Sequence, residues 1–134
     1  MPLWNTTVEI YENGQIAPQY QGQSNDVRFA ARASDLIKSH AKTYGNTQPF
    51  FLYLALNSPH SPIEAEQRFL NLYKDPAITS YPLYHTYLAM ISSVDESVKK
   101  VVNALKYHNL WDNTLFVFST DNGNSESFKN IICC

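Results

Sequence analysis

Three rhythms of apolar and polar positions follow one another along the chain. Val8-Glu9-Ile10-Tyr11 and Ile16-Ala17-Pro18 alternate around Asn13-Gly14, which predicts a small hairpin with a positive-φ turn. Pro18 has no backbone donor and confines the second arm to an edge. From Ser24 the period becomes helical, with Phe29, Ala33, Leu36 and Ile37 on one face. Ser24, Asn25 or Asp26 can cap this helix, and Gly45 suits a left-handed end near Tyr44-Gly45-Asn46. Residues 50–56 are apolar without a break, the pattern of a strand covered on both faces by helices. Two prolines in Asn57-Ser58-Pro59-His60-Ser61-Pro62 then interrupt regular structure.

Further along, residues 64–73 fit a short helix, and a loop is expected from Asp75-Pro76 to Tyr81-Pro82. The longest helix is predicted over 83–107. Its stripe is Tyr84, Leu88, Ile91, Val94, Val98, Val101, Val102 and Leu105, with Lys99, Lys100 and Lys106 outside it. A turn over 109–113 leads to a second buried strand, 114–120, and Asp121-Asn122-Gly123 stands just beyond its end. Strand, loop, helix and strand in this order define an α/β class with parallel strands. Two doubly buried strands need further strands beside them, so the sheet is expected to be incomplete within this sequence.

At 134 residues the chain suits one modest domain, burying roughly two-thirds of the surface exposed when unfolded. Its net charge of −2 offers no basic field for polyphosphate, which argues against nucleic-acid binding. A 44% hydrophobic and 13% aromatic composition argues against a disordered chain. The longest apolar run, residues 50–56, is far short of a membrane span, and the residues after Met1 lack a signal-peptide pattern. Cys133 and Cys134, adjacent and terminal, cannot staple a fold. Asn5-Thr6-Thr7 is a candidate glycosylation sequon, with Asn5 the acceptor if the chain is secreted.

Ligand sites of open α/β sheets gather at the carboxyl ends of strands. Two polar clusters sit there: residues 57–61 after the first strand and 121–123 after the second. Parallel strands would bring His60 and Asp121 to one edge. Asp121 and Asn122 present oxygen donors of the kind hard cations take, although Asp-Asn-Gly is also an ordinary turn. His60 can donate a proton or a hydrogen bond to an anionic group, or be a plain loop residue. His40 and His108 fall at predicted helix ends, where the dipole favours them, and His85 has no such rationale. Asp95-Glu96 reads as a solvated or locally paired mid-helix couple. Ser58 and Ser61 lack a glycine-flanked nucleophile turn, and the histidines and cysteines lack zinc spacing.

Pro49-Phe50-Phe51-Leu52-Tyr53-Leu54-Ala55-Leu56-Asn57-Ser58-Pro59-His60-Ser61-Pro62 resembles the middle of a sulfatase, closest to the arylsulfatase B type. Residues 87–98 resemble that family's long helix. Residues 110–123, ending Ser119-Thr120-Asp121-Asn122-Gly123, resemble its second metal-binding strand end. A looser likeness over 13–40 extends the resemblance to about 11–123. It implies an alkaline-phosphatase-like mixed sheet flanked by helices, and hydrolysis of sulfate esters, aryl sulfates or sulfated glycosaminoglycans. In such enzymes a formylglycine, made from the cysteine of a Cys-x-Pro-x-Arg motif, is the nucleophile, and Ca2+ orients it and neutralises the sulfate oxygens. Carried over by position, Asp121 and Asn122 are metal ligands. His60 contacts the sulfate group or helps protonate the leaving oxygen. The resemblance also implies a lysosomal or secreted setting.

No Cys-x-Pro-x-Arg occurs in this sequence, nor do the early paired aspartates and upstream lysine and histidine of the family. Lys129 does not match the lysine that usually follows the second metal strand. Residues 124–134 diverge from the pattern. The expectation is therefore a partial catalytic domain, an internal fragment inactive by itself. The alternatives are a non-catalytic sulfatase-like remnant or binding module, and a related phosphodiesterase.

Overall fold

A computed structural model of the chain describes residues 11–18, 24–120 and 123. It opens on a hairpin of β1 (Tyr11–Glu12) and β2 (Gln15–Ile16), antiparallel with Tyr11 opposite Ile16. Asn13 and Gly14 take φ of 52° and 78°, the pair of positive values a two-residue turn requires. Helix α1 (Asn25–Tyr44) follows and ends at Gly45, whose φ is 57° and whose N–H donates to the Ala41 carbonyl. Two short helices, α2 (Gln67–Leu70) and α3 (Pro76–Thr79), lead into the long α4 (Pro82–Tyr107). A 3-10 turn, Trp111–Asn113, closes the helical part.

Helices α1 and α4 form the core, and they meet through small side chains. On α4 the buried residues are Ala89, Met90, Ser93, Ser97, Val101 and Leu105, largely an i, i+4 ridge. On α1 they include Asp26, Ala30, Ala33 and Ile37. The expected stripes are thus corrected in phase. Ile91 is 40% exposed, and Phe29 and Leu36 of α1 are also exposed. Close approach of two helix backbones selects Ala and Ser for the contact ridge and leaves the bulkier Leu88, Val94 and Val98 half-buried along its flanks. Ala33, Ile37, Val101, Leu105 and Leu110 make one buried apolar cluster.

Two further expectations change at the short helices. The helix expected over 64–73 contracts to α2, and the stretch from Asp75-Pro76 to Tyr81-Pro82 expected as a loop contains α3. Asp75 caps α3 by accepting the Ala77 N–H at 2.9 Å, with Pro76 at the first helical position. Both short helices lean on α4. Arg68 of α2 pairs with Glu96 at 2.7 Å, the His85 ring bonds the Leu70 carbonyl at 2.9 Å, and Tyr73 bonds Ser92 at 2.6 Å.

Residues 50–56 lie on the helix pair as an extended segment. Phe50 packs against His40 near the end of α1 (centroids 4.9 Å apart), whereas the Asn57 N–H reaches Asp26 at its start. Spanning those fourteen helical residues, about 21 Å at 1.5 Å each, takes seven residues only when they are extended at about 3.3 Å each. The pleat shows in burial: Leu52, Leu54 and Leu56 face the helices half-buried, and Phe51, Tyr53 and Ala55 face out. Residues 114–120 begin at the same end of the pair, where Asn46 donates to the Asn109 carbonyl at 3.3 Å. Phe116 packs on the core and against Trp111, while Leu115 and Val117 face out. The expected cover on both faces is therefore corrected to cover on one. Among the described residues neither segment is laddered to a strand, and β1–β2 is the one sheet.

Candidate functional site

His60 sits just past the carboxyl end of residues 50–56, on the turn that begins at Asn57. The Asn57 carbonyl accepts the His60 N–H at 2.9 Å, closing this turn, and the Ser58-Pro59 and Ser61-Pro62 peptides are cis. The exposed His60 ring lies with Nδ1 2.7 Å from the Ser61 carbonyl. A carbonyl only accepts, so Nδ1 carries a proton and donates it. In the neutral ring Nε2 is then an acceptor, and only the imidazolium offers an Nε2–H to an anion.

The turn is held from below by a residue that sequence reasoning treated only as a possible helix cap. Asp26, in the first turn of α1, is 2% exposed. Its Oδ1 accepts the Asn57 N–H at 2.6 Å, and its Oδ2 lies 3.3 Å from the Ser58 N. The Ser93 hydroxyl of α4 donates to the Met90 carbonyl at 2.8 Å and stands 3.5 Å from the same Oδ2. Ser24, at the N-cap, makes no side-chain cap bond, and the Asn25 amide oxygen accepts from Arg28 instead. The signal available in the sequence was an acid in a helix's first turn, which by default reads as capping.

Just past residues 114–120, Gly123 takes φ of 73°, a value that favours glycine, and its N–H lies 3.4 Å from Thr120 Oγ1. Asp121 and Asn122 lie outside the described residues, as does Asn5. Among the described residues no group of three His, Cys, Asp or Glu side chains is placed to hold a metal ion. The donor chemistry of Asp121 and Asn122, one carboxylate and one amide oxygen, suits a hard cation, and two residues fall short of the six to eight oxygens calcium takes.

The other polar residues resolve into structural roles. His40 bonds the Gln48 carbonyl at 2.9 Å and packs at a tilt against the Tyr44 and Phe50 rings. His108 ends α4 with its ring edge-on to Tyr107. Glu96 pairs with Arg68, whose guanidinium is held above its ordinary value by the hydrogen bonds it donates to the Glu96 and Glu66 carboxylates. No described helix is long and apolar enough to cross a membrane.

An extended apolar segment laid on a helix pair, with a polar turn at its carboxyl end, is the layering of an α/β fold. A family model described as Sulfatase matches residues 3–129, and the chain belongs to that family. Over 115 residues it is 30% identical to arylsulfatase J of Mus musculus, an alignment covering 86% of this chain and 18% of that protein. N-acetylgalactosamine-6-sulfatase of Mus musculus is 29% identical over 121 residues, 90% of this chain and 21% of the relative. Among solved structures, Ps i-CgsB superposes with a TM-score of 0.67 at 30% identity, covering 79% of this chain and 22% of that one. The same protein has been solved in complex with k-i-k-neocarrahexaose, with a TM-score of 0.64. The fold is accordingly part of the alkaline-phosphatase-like α/β architecture of sulfatases. The chain spans about a fifth of the length of these relatives.

Proposed function

We propose that this chain forms one wall of the active site of an arylsulfatase-type sulfuric ester hydrolase and acts as part of a longer polypeptide. The observation that carries the reading is the Sulfatase match over 3–129 joined to a strand-end turn that presents an exposed histidine. The substrate class is a sulfate ester on an aryl group or on a sulfated glycan. The names of the relatives and the carrageenan-type oligosaccharide bound to Ps i-CgsB support the second of these. His60, as imidazolium, donates from Nε2 to a sulfate oxygen or to the oxygen of the departing alcohol. Its Nδ1–H bond to Ser61 fixes the ring for that task. Asp121 and Asn122 would hold calcium, which supplies Lewis-acid stabilisation of sulfate charge when bound. A formylglycine nucleophile would come from outside these residues, since the sequence holds no Cys-x-Pro-x-Arg. A lysosomal or secreted location, with Asn5 glycosylated, accompanies this reading.

The missing motif also favours a second reading, a non-catalytic sulfatase-like remnant. Mass spectrometry of the endogenous protein that yields the peptide 50–62 separates the two. The expected result is a polypeptide several times longer than 134 residues that also yields a formylglycine peptide. A mature protein of this length alone would overturn catalysis in favour of the remnant. In a separate assay the isolated chain is expected to show no turnover of an aryl sulfate with calcium present. Turnover would refute the need for a nucleophile from elsewhere.

A further inference from the structure

We propose that Asp26 is the positioning residue of the His60 turn, a carboxylate that ties the start of α1 to the strand end by backbone hydrogen bonds. Taking a carboxylate out of water is costly unless its oxygens are matched by donors. Asp26 is 2% exposed, and its partners are not its own helix but the N–H groups of Asn57 and Ser58, 31 and 32 residues away. Two adjacent amides converging on one two-oxygen acceptor fix the direction of the chain as well as its position. The first-turn location adds the favourable end of the α1 dipole. The Ser93 hydroxyl brings α4 to the same point.

The consequence passes to His60 through one residue. Asn57 gives its N–H to Asp26 at 2.6 Å, and its carbonyl accepts the His60 N–H at 2.9 Å. The His60 ring in turn donates to the Ser61 carbonyl at 2.7 Å. An unbroken series of bonds therefore runs from the buried carboxylate to the exposed imidazole. Two prolines, Pro59 and Pro62, have no N–H to offer a competing arrangement of the turn. What the positioned histidine does rests on the sulfate-facing reading above, and the positioning itself does not.

The test uses the full chain labelled with 15N, the variants Asp26→Asn and Asp26→Ala, and inorganic sulfate as probe. In Asp26→Asn one oxygen still accepts the Asn57 N–H, while the amide NH2 group faces Ser58. The Ser58 amide is expected to exchange with solvent about tenfold faster, with Asn57 little changed. In Asp26→Ala both amides lose protection, and the His60 amide and ring resonances move further from their wild-type positions. The amides of Val101 and Leu105 keep their protection in Asp26→Asn. Should Asp26→Ala not fold, Asp26→Asn decides alone. Unchanged Ser58 and His60 signals in Asp26→Asn would overturn the proposal, and so would a uniform loss of protection through α1 and α4. Sulfate separates this inference from the functional reading. If sulfate leaves the wild-type His60 ring unmoved while the amide pattern holds, sulfate contact by this chain alone falls and the anchor stands. If sulfate moves His60 with the same half-saturation in wild type and Asp26→Asn, and Ser58 is unchanged, the anchor falls and the reading stands.

Discussion

The helix pair and the two extended segments that lie on it solve the same physical problem to different degrees. A helix satisfies its interior backbone donors and acceptors within itself, so α1 and α4 need only one buried face each. They have it, through Ala30, Ala33 and Ile37 against Ala89, Val101 and Leu105. An extended segment must find partners for both edges and both faces. Residues 50–56 and 114–120 find one face only, with Leu52, Leu54 and Phe116 on the core. Their outer side chains stay in water: Phe51 is 90% exposed and Leu115 92%. The helical layer is thus packed within itself, whereas among the described residues the two extended segments are covered on one face only.

The contrast is broken most severely by attacking the helical layer. Leu105 is 2% exposed and joins α4 to Ile37, Val101 and Leu110. Leu105→Ala is expected to lower unfolding free energy by about 2–5 kcal/mol, as a buried methyl cluster is replaced by a cavity. Urea denaturation followed by helical circular dichroism checks this. A loss below about 1 kcal/mol would mean that the helix pair is not the stabilising unit of the chain.

A smaller effect is expected where α2 docks on α4. Arg68 pairs with Glu96 and Glu66, each at 2.7 Å, and its guanidinium lies over the Phe69 ring at 4.1 Å. The three charged side chains are well exposed, so solvent screens the network and the gain is modest. Arg68→Ala should cost about 0.2–1 kcal/mol, and the difference from wild type should shrink as salt is raised from 0.05 to about 0.5 M. A cost that does not respond to salt would assign the effect to packing on Phe69 instead.

The same contrast explains what could be read from the sequence. The hairpin, α1 and α4 were legible because their signals are local: Asn13-Gly14 between alternating residues, Gly45 at a helix end, and a long helical period. Which face of α4 is buried was less legible, because hydropathy ranks Ile91 and Val98 above Ser93 and Ser97. Close packing of two helices reverses that order. The α3 signal, Asp75 before Pro76, is also local, but two flanking prolines masked it as a loop. His60 was legible as a strand-end residue. Asp26 was not, since its partners are 31 residues distant and a carboxylate in a first helical turn has a nearer explanation. Tertiary bonds between a side chain and a remote backbone leave no period in the sequence.

The least destabilising change sharpens the contrast most directly. Phe51 and Leu115 are already in water in the folded chain, so replacing both by serine removes almost no surface that folding buries. The double variant Phe51→Ser/Leu115→Ser should therefore change unfolding free energy by no more than about 0.5 kcal/mol. Outward apolar side chains on unladdered extended segments also favour pairing between copies, so the variant should self-associate less at high concentration in sedimentation velocity. The same pair of substitutions in a longer sulfatase polypeptide would meet the rest of the sheet layer and should cost several-fold more stability than in the chain alone. Equal costs in the two settings would show that these faces are solvent-exposed surfaces in their own right, and the expectation of an incomplete sheet would fail with them.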